Sequence, residues 1–357
     1  MPVSAPLANA PASPAFAAAR FWRACLTEPT LDVVAIGNAI VDILSQSDDA
    51  FLAAQGMTKG SMQLVFSPAD ADALYAKMGP GREVSGGSAA NTVAGIAALG
   101  GTCGFIGQVA DDQLGAVFAH DVRAAGIRFD TPVRAGEPTT ARCLIFVTPD
   151  GQRTMNTFLG ASQFLPEAAL DADLIASGAI LYLEGYLWDP EEPRAAMRAA
   201  IRIARDAGRK VAFTLSDTFC ISRHGDDFRT LIADGHIDIL FANENELLAL
   251  AQVEDFDTAV ERISAKLPML VVTRGEHGAI AVTGGTRTTV PAEPIARLVD
   301  TTGAGDLFAA GFLRGQAQGL SVERSLKMGA LCAAEIISHY GARPEVDLKA
   351  LVTARLG

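Results

Sequence analysis

The stretch VDTTGAGDLFAAGFL, residues 299–313, sets almost bare backbone, Gly303-Ala304-Gly305, directly before Asp306. An apolar helical face of Leu307, Phe308, Ala310, Gly311, Phe312 and Leu313 follows, so the spacing predicts a helix that begins at the small residues. The first N–H groups of a helix have no intrahelical partner, and the helix dipole adds partial positive charge there. Small side chains let an anion reach that backbone, so the stretch reads as a pocket for a phosphate or a developing negative charge. Asp306 in the first turn then has two readings. It can simply complement the dipole, worth about 1 kcal/mol at most on a surface. It can also accept the proton of a hydroxyl that attacks a phosphoryl group held by the amides. The neighbouring glycines favour the second reading.

Outward from this stretch, short apolar strands alternate with helical patterns: DVVAIG, TCGFIGQV, AILYLEG, KVAFTLS, HIDILFA and PMLVVT, separated by runs such as EEPRAAMRAAIRIARDAG. Strands spaced by helices predict an α/β domain, a mostly parallel sheet covered on both faces. The helices after Gly303 and Ser321 close the chain as a final layer. Residues 57–66 (MTKGSMQLVF) and 139–160 break the rhythm and read as extended, with PDGQ as a hairpin turn. A small β-rich flap inserted into the body is expected, either closing over a site, making a dimer contact or purely structural.

Further small-residue and polar clusters follow the strands. VSGGSAANTVAGIAALGG offers Gly86-Gly87, a cap at Ser88, and Asn91 in the first turn as donor and acceptor for a polyol. GGS is also a common way to start a helix. GNAIVDIL places Asn38 and Asp42 at the carboxyl end of the first strand, where open α/β sheets bind ligands; on a loop, Asp42 is otherwise an ordinary solvated acid. In FANENE, Asn243 and Glu246 have the spacing of a capping box, and Glu246 can also position Mg²⁺ through water; both readings can hold together. VVTRGEHGA brings Thr273, Arg274 and Gly275 to another strand end, with Gly278 opening a hairpin; Arg274 has phosphate contact and plain exposure as its two readings.

The 357 residues are 49% hydrophobic and 20% charged, enough for a large core. A formal net charge of −12 without a basic stripe argues against nucleic-acid or anionic-membrane partners. No apolar run approaches the roughly 20 residues that span a bilayer. Cys25, Cys103, Cys143, Cys220 and Cys332 form no C-x-x-C pair, which fits a reducing cytoplasm rather than a zinc site or a disulfide scaffold. There is no G-x-x-x-x-G-K-[ST], no strand-following G-x-G-x-x-G and no G-x-S-x-G, and the five histidines lack ligand spacing. Residues 1–28, rich in Ala and Pro, read as a disordered extension or a misassigned start and are excluded from the fold.

GN-x-x-x-D, GG-x-x-x-N, N-x-x-E, T-R-G and DTTGAGD, in this order from about Asp32 to Pro344, resemble the ribokinase-like (PfkB) family of sugar and nucleoside kinases. The resemblance implies a three-layer α/β/α fold over residues 29–357, with a β lid from segments near 43–66 and 132–160. It implies transfer of the γ-phosphoryl of ATP, with Mg²⁺, to a primary hydroxyl. Asp306 would be the base and Gly303, Ala304 and Gly305 the anion hole. Asn38, Asp42, Gly86, Gly87 and Asn91 would meet the acceptor. Asn243 and Glu246 would serve the metal and phosphates, and Thr273, Arg274, Gly275 and Gly278 the nucleotide. A monovalent cation such as K⁺ would fall to Asp300, Thr302 and backbone near Gly341, and Arg153 would swing from the lid toward the phosphates.

Within the family, GN-x-x-x-D and the lid hairpin are most similar to adenosine kinases, whereas DTTGAGD is closer to ribokinase than to the eukaryotic adenosine kinases. Phe158, Leu159 and Phe219 are candidates for a purine wall, with core packing as the alternative. An adenosine kinase, a ribokinase or fructokinase type of sugar kinase, and a non-catalytic relative therefore stand as the readings. The expected assembly is a monomer or a lid-mediated homodimer.

Overall fold

The computed structural model describes residues 28–357. The extension expected over residues 1–28 therefore lies, apart from Glu28, outside the described residues.

The body is built on one sheet of β1 (Leu31–Ile36), β5 (Cys103–Ile106), β8 (Gly178–Glu184), β9 (Lys210–Thr214), β10 (Ile239–Asn243), β11 (Met269–Thr273), β12 (Ala279–Thr283) and β13 (Thr286–Val290). Their order is β13-β12-β11-β10-β9-β8-β1-β5. The strands from β5 across to β11 run parallel, and β12 and β13 add an antiparallel edge. Parallel strands covered on both faces carry near-continuous apolar runs, and LDVVAI and MLVVT do so.

Successive residues of β1 point to opposite sides. Val33 and Ala35 join one core with the helices Ser88–Ala98, Ala304–Ala317 and Val322–Ile336. Val34 and Ile36 join the other with Glu191–Asp206, Thr218–Ala233 and Glu244–Ala251. In Glu191–Asp206 the buried Ala196, Met197, Ala200, Ile201 and Ala204 repeat at helical spacing, with Glu191 and Glu192 at the positive end of the dipole and Arg205 at the negative end.

A second sheet stands where the lid was expected: β2 (Ile40–Gln46), β3 (Met62–Leu64), β4 (Gly81–Gly86), β6 (Ala141–Val147) and β7 (Arg153–Phe158), in the order β3-β7-β6-β2-β4. The β6–β7 hairpin is the one expected around PDGQ, and Val147 faces Arg153 next to its turn. Two details differ from the sequence reading. Of residues 57–66 only Met62–Leu64 pairs as a strand, and Lys59 and Gly60 make a turn before it. The sheet also takes in β4, whose Gly, Arg, Glu and Ser residues lack a strand-like pattern. Val41, Ile43, Leu144 and Phe146 on one face of this sheet belong to the same core as Val33 and Ala35 of β1, so the sheet is packed against the body.

Candidate active site

The sheet register assembles the site. Asn243 of β10 lies opposite Thr273 of β11, and Glu184 of β8 opposite Thr214 of β9, all at the carboxyl ends of parallel strands. Gly37 and Asn38 continue from the carboxyl end of β1. Above this edge the helix Ala304–Ala317 begins, capped by Gly303 in the left-handed region at φ 79°.

Asp306 sits in the first turn of that helix, partly buried. Its Oδ1 accepts from Ser88 Oγ at 2.7 Å and its Oδ2 from Asn91 Nδ2 at 3.0 Å. Burial pushes its pKa up to about 6 against these two hydrogen bonds and the nearby Arg343 charge. The sequence reading made Ser88 a cap; instead Gly87 is the N-cap and makes no side-chain cap bond, so the Ser88 hydroxyl is left to hold the acid.

Asp42 stands on β2, on the face opposite Val41 and Ile43. Its pKa is also raised to about 6, by burial first and by the charge of Asp306, and is held back by Arg153 and Arg343. Gly86 is required beside it: a Cβ there would lie 2.6 Å from Asp42 Oδ2. Asn91 donates to Asp306, and its Oδ1 is buried without a partner, an acceptor that a ligand hydroxyl would satisfy.

Asn38, expected to bind the acceptor, is committed within the fold. Its N and Nδ2 donate to Glu184 Oε1 at 2.7 and 2.6 Å, and its Oδ1 accepts from Ser162 Oγ at 2.8 Å. Glu184 Oε2 also accepts from Ala89 N, so this fully buried carboxylate braces both Asn38 and the helix that carries Ser88 and Asn91. Burial raises its pKa to about 7 despite those bonds.

Asp300 differs from Asp306. Its Oδ1 accepts from Thr302 N at 2.9 Å, and its Oδ2 accepts from Gly341 N at 3.1 Å and from Arg153 Nη1. Burial opposes its charge, but the hydrogen bonds from Thr302, Gly341 and Arg153 outweigh it and hold the carboxyl below its usual range. Arg153 is itself buried and anchored to Asp300, at the start of the DTTGAGD loop. Arg343 donates to Ala90 O at 3.1 Å and to Ser85 O at 2.7 Å, and supplies counter-charge to both Asp42 and Asp306.

Where the nucleotide was expected, a cleft of about 490 Å³ is lined by Ser88, Asn243, Glu246, Gly303, Gly305 and Asp306. It shares Thr273, Thr301, Ala304, Gly305 and Phe308 with a neighbouring cavity of about 600 Å³. That second cavity has apolar walls from Ile295, Leu298, Ala330, Ala333 and Ile337, with Gly275 and Gly278 at its border. The capping box is present: Asn243 N and Nδ2 donate to the two oxygens of Glu246 at 2.9 and 2.6 Å. Burial and then the Asp217 charge lift Glu246 to about 7, against the Asn243 bond. Arg274 turns away from the cleft; its guanidinium pairs with Glu244 at 3.0 Å and lies 4.0 Å over the Phe256 ring. Of the wall candidates, Phe158 is buried, whereas Phe219 is 70% exposed and not in the core.

A family profile described as pfkB family carbohydrate kinase matches residues 60–348. The chain belongs to the pfkB family of carbohydrate kinases. Solved structures similar to this pfkB kinase include a probable sugar kinase protein from Rhizobium etli CFN 42, with 46% identity, a TM-score of 0.85 and 92% of this chain aligned with 99% of that one. Another is an adenosine kinase from Sinorhizobium meliloti, with 48% identity, a TM-score of 0.84 and 91% of this chain aligned with 99% of that one. A probable chloroplastic fructokinase, fructokinase-6 of Arabidopsis thaliana, is 30% identical over 312 residues, 82% of this chain and 80% of its own.

The fold is accordingly the ribokinase-like α/β fold. The protein is a phosphotransferase that uses ATP and phosphorylates a hydroxyl group of a small sugar or nucleoside. Among the described residues no helix is long and apolar enough to cross a membrane.

Sequence reasoning missed Glu184, Arg343 and the Ser88–Asp306 bond. An acid ending the apolar strand LYLE was a usable signal for Glu184, since such a group needs buried donors. Arg343 in GARPE carried none.

Proposed function

We propose that this kinase phosphorylates the 5′-hydroxyl of adenosine to give AMP. The observation that carries the reading is the 48% identity, over 91% of the chain, with the Sinorhizobium meliloti adenosine kinase. The acceptor side supports it: the Asp42 carboxylate and the unpartnered Asn91 Oδ1 are two hydrogen-bond acceptors suited to neighbouring ribose hydroxyls. Gly86 and Gly87 leave room for the sugar to approach. The apolar cavity beside the anion hole suits the base of ATP, with its phosphates extending along the polar cleft past Thr273 and Asn243.

In the reaction the acceptor oxygen attacks the γ-phosphorus, the bond from that phosphorus to the β,γ-bridging oxygen breaks, and ADP leaves. Asp306 takes the hydroxyl proton, and Ser88 and Asn91 keep its carboxylate oriented. The backbone amides at Gly303, Ala304 and Gly305 stabilise the charge on the transferring group, and Arg153 adds positive charge at their edge.

The residues present fit Mg²⁺. Glu246 lines the cleft as a buried carboxylate whose charge a cation would stabilise. Among the described residues no group of three or more His, Cys, Asp or Glu side chains is placed to cage a metal. That matches magnesium's use of water and phosphate oxygens, and the ion would supply charge neutralisation on the phosphates. Work in the cytoplasm, in purine salvage, fits the buried free thiols of Cys103, Cys143, Cys220 and Cys332. The chain would act as a monomer, or as a homodimer through the lid edge at β3, where Met62, Leu64 and Phe66 are exposed.

The fructokinase relatives favour a second reading, a sugar kinase with the same machinery. Coupled ADP release measured over adenosine, ribose and fructose separates the two. Turnover with adenosine is expected; turnover with a free sugar alone would replace the first reading by the second.

A further inference from the structure

The resemblance implies a monovalent cation at Asp300, Thr302 and the backbone near Gly341, and the structure tests whether these residues can take one. They do not fit. Asp300 Oδ1 is engaged by Thr302 N, while Oδ2 is engaged by both Gly341 N and the Arg153 guanidinium. The ion pair is closed to solvent, with the Arg153 side chain 5% and the Asp300 side chain 10% exposed. A cation on this carboxylate would sit beside a second full positive charge in a weakly screened site.

An independent contact ties the same two segments together. The turn between β6 and β7 packs on Tyr340, whose ring and hydroxyl leave no room for a Cβ on Gly151. The lid hairpin therefore meets the loop around the anion hole twice, at Asp300 through Arg153 and next to Gly341 through Gly151.

We propose that the Arg153 guanidinium occupies the place of the monovalent cation beside the anion hole, so that this kinase neutralises Asp300 with its own lid and needs no potassium. The positive charge arrives with β7. Ordering of the Asp300–Thr302 segment is thus linked to the position of the lid and not to the salt of the medium. The inference rests on the kinase reading of the anion hole but not on which hydroxyl compound is the acceptor.

The test uses the full chain in KCl or choline chloride at equal ionic strength, with thermal melting and turnover both read. Wild type is expected to keep the same Tm in both salts and turnover within about twofold. Arg153→Gln, which removes the charge, is expected to gain stabilisation that rises with KCl and saturates, as for a ligand that binds only the folded state. Arg153→Lys, which keeps a charge, is expected to remain indifferent.

A wild-type Tm raised by potassium over choline, or turnover raised by more than about twofold, would overturn the proposal whether or not the variants fold. So would a folded Arg153→Gln that ignores potassium. Failure of the adenosine reading would show differently, as absent turnover with adenosine in either salt, with the melting comparison intact.

Discussion

Asp300 and Asp306 bracket the same DTTGAGD loop, yet the structure treats the two acids in opposite ways. Asp300 accepts from two backbone amides and an arginine, and its pKa is held down. Asp306 is desolvated but receives only two neutral side-chain donors, and its pKa rises to about 6. The difference is the one expected between an anchor and the proposed base. Donors crowd the carboxylate that fixes the loop, while the one proposed to take up a proton is left under-compensated, so its proton affinity lies near neutrality.

The largest effect that can break this comparison is on turnover. Asp306→Asn is expected to lower kcat by about 10²–10⁴, the range for loss of a general base. Its stability should not fall. Because the folded pKa of Asp306 lies above the usual 3.8, the folded state favours the protonated form and loses stability as pH rises through that window to about 6. An uncharged side chain is therefore tolerated or favoured at about pH 8. Equal losses of turnover in Asp306→Asn and Asp306→Glu, together with a falling Tm, would contradict the assignment.

Asp300→Ala should do the reverse to stability. It strands the buried Arg153 and removes the acceptor for two amides, costing about 3–5 kcal/mol in denaturant unfolding. The stabilisation from Asp300 is present at neutral pH and is lost only as pH falls through its lowered folded value.

A smaller effect is expected at Gly86. Gly86→Ala drives a methyl into the Asp42 carboxylate and should raise the KM of the acceptor by about tenfold, with the KM of ATP unchanged. Smallest is Ser88→Ala, which removes one hydrogen bond to Asp306 and should lower kcat/KM roughly fivefold, about 1 kcal/mol.

The asymmetry between the two acids also marks what the sequence could reveal. DTTGAGD was legible because small residues, an acid and an apolar helical face are all local signals, as were the capping box at Asn243 and the PDGQ turn. The braces around Asp306 were not. Ser88 lies 218 positions away in sequence, and the Arg343 bonds reach back 253 and 258 positions, so only the folded sheet brings them together. The bond of Asn38 to Glu184, 146 positions on, was not legible either, because a place at a strand end says nothing about what takes up the amide. β4 escaped notice since GREVSG earns its place through pairing with β2, not through propensity.

The most direct measurement of the central claim is the pH dependence of kcat/KM for the wild-type kinase with its acceptor. If Asp306 must be ionised to take the hydroxyl proton, activity falls on the acid side with an apparent pKa of about 6 and drops about tenfold per unit below it. A profile flat from neutrality down to the ordinary carboxylate range would contradict the assignment of Asp306 as the base.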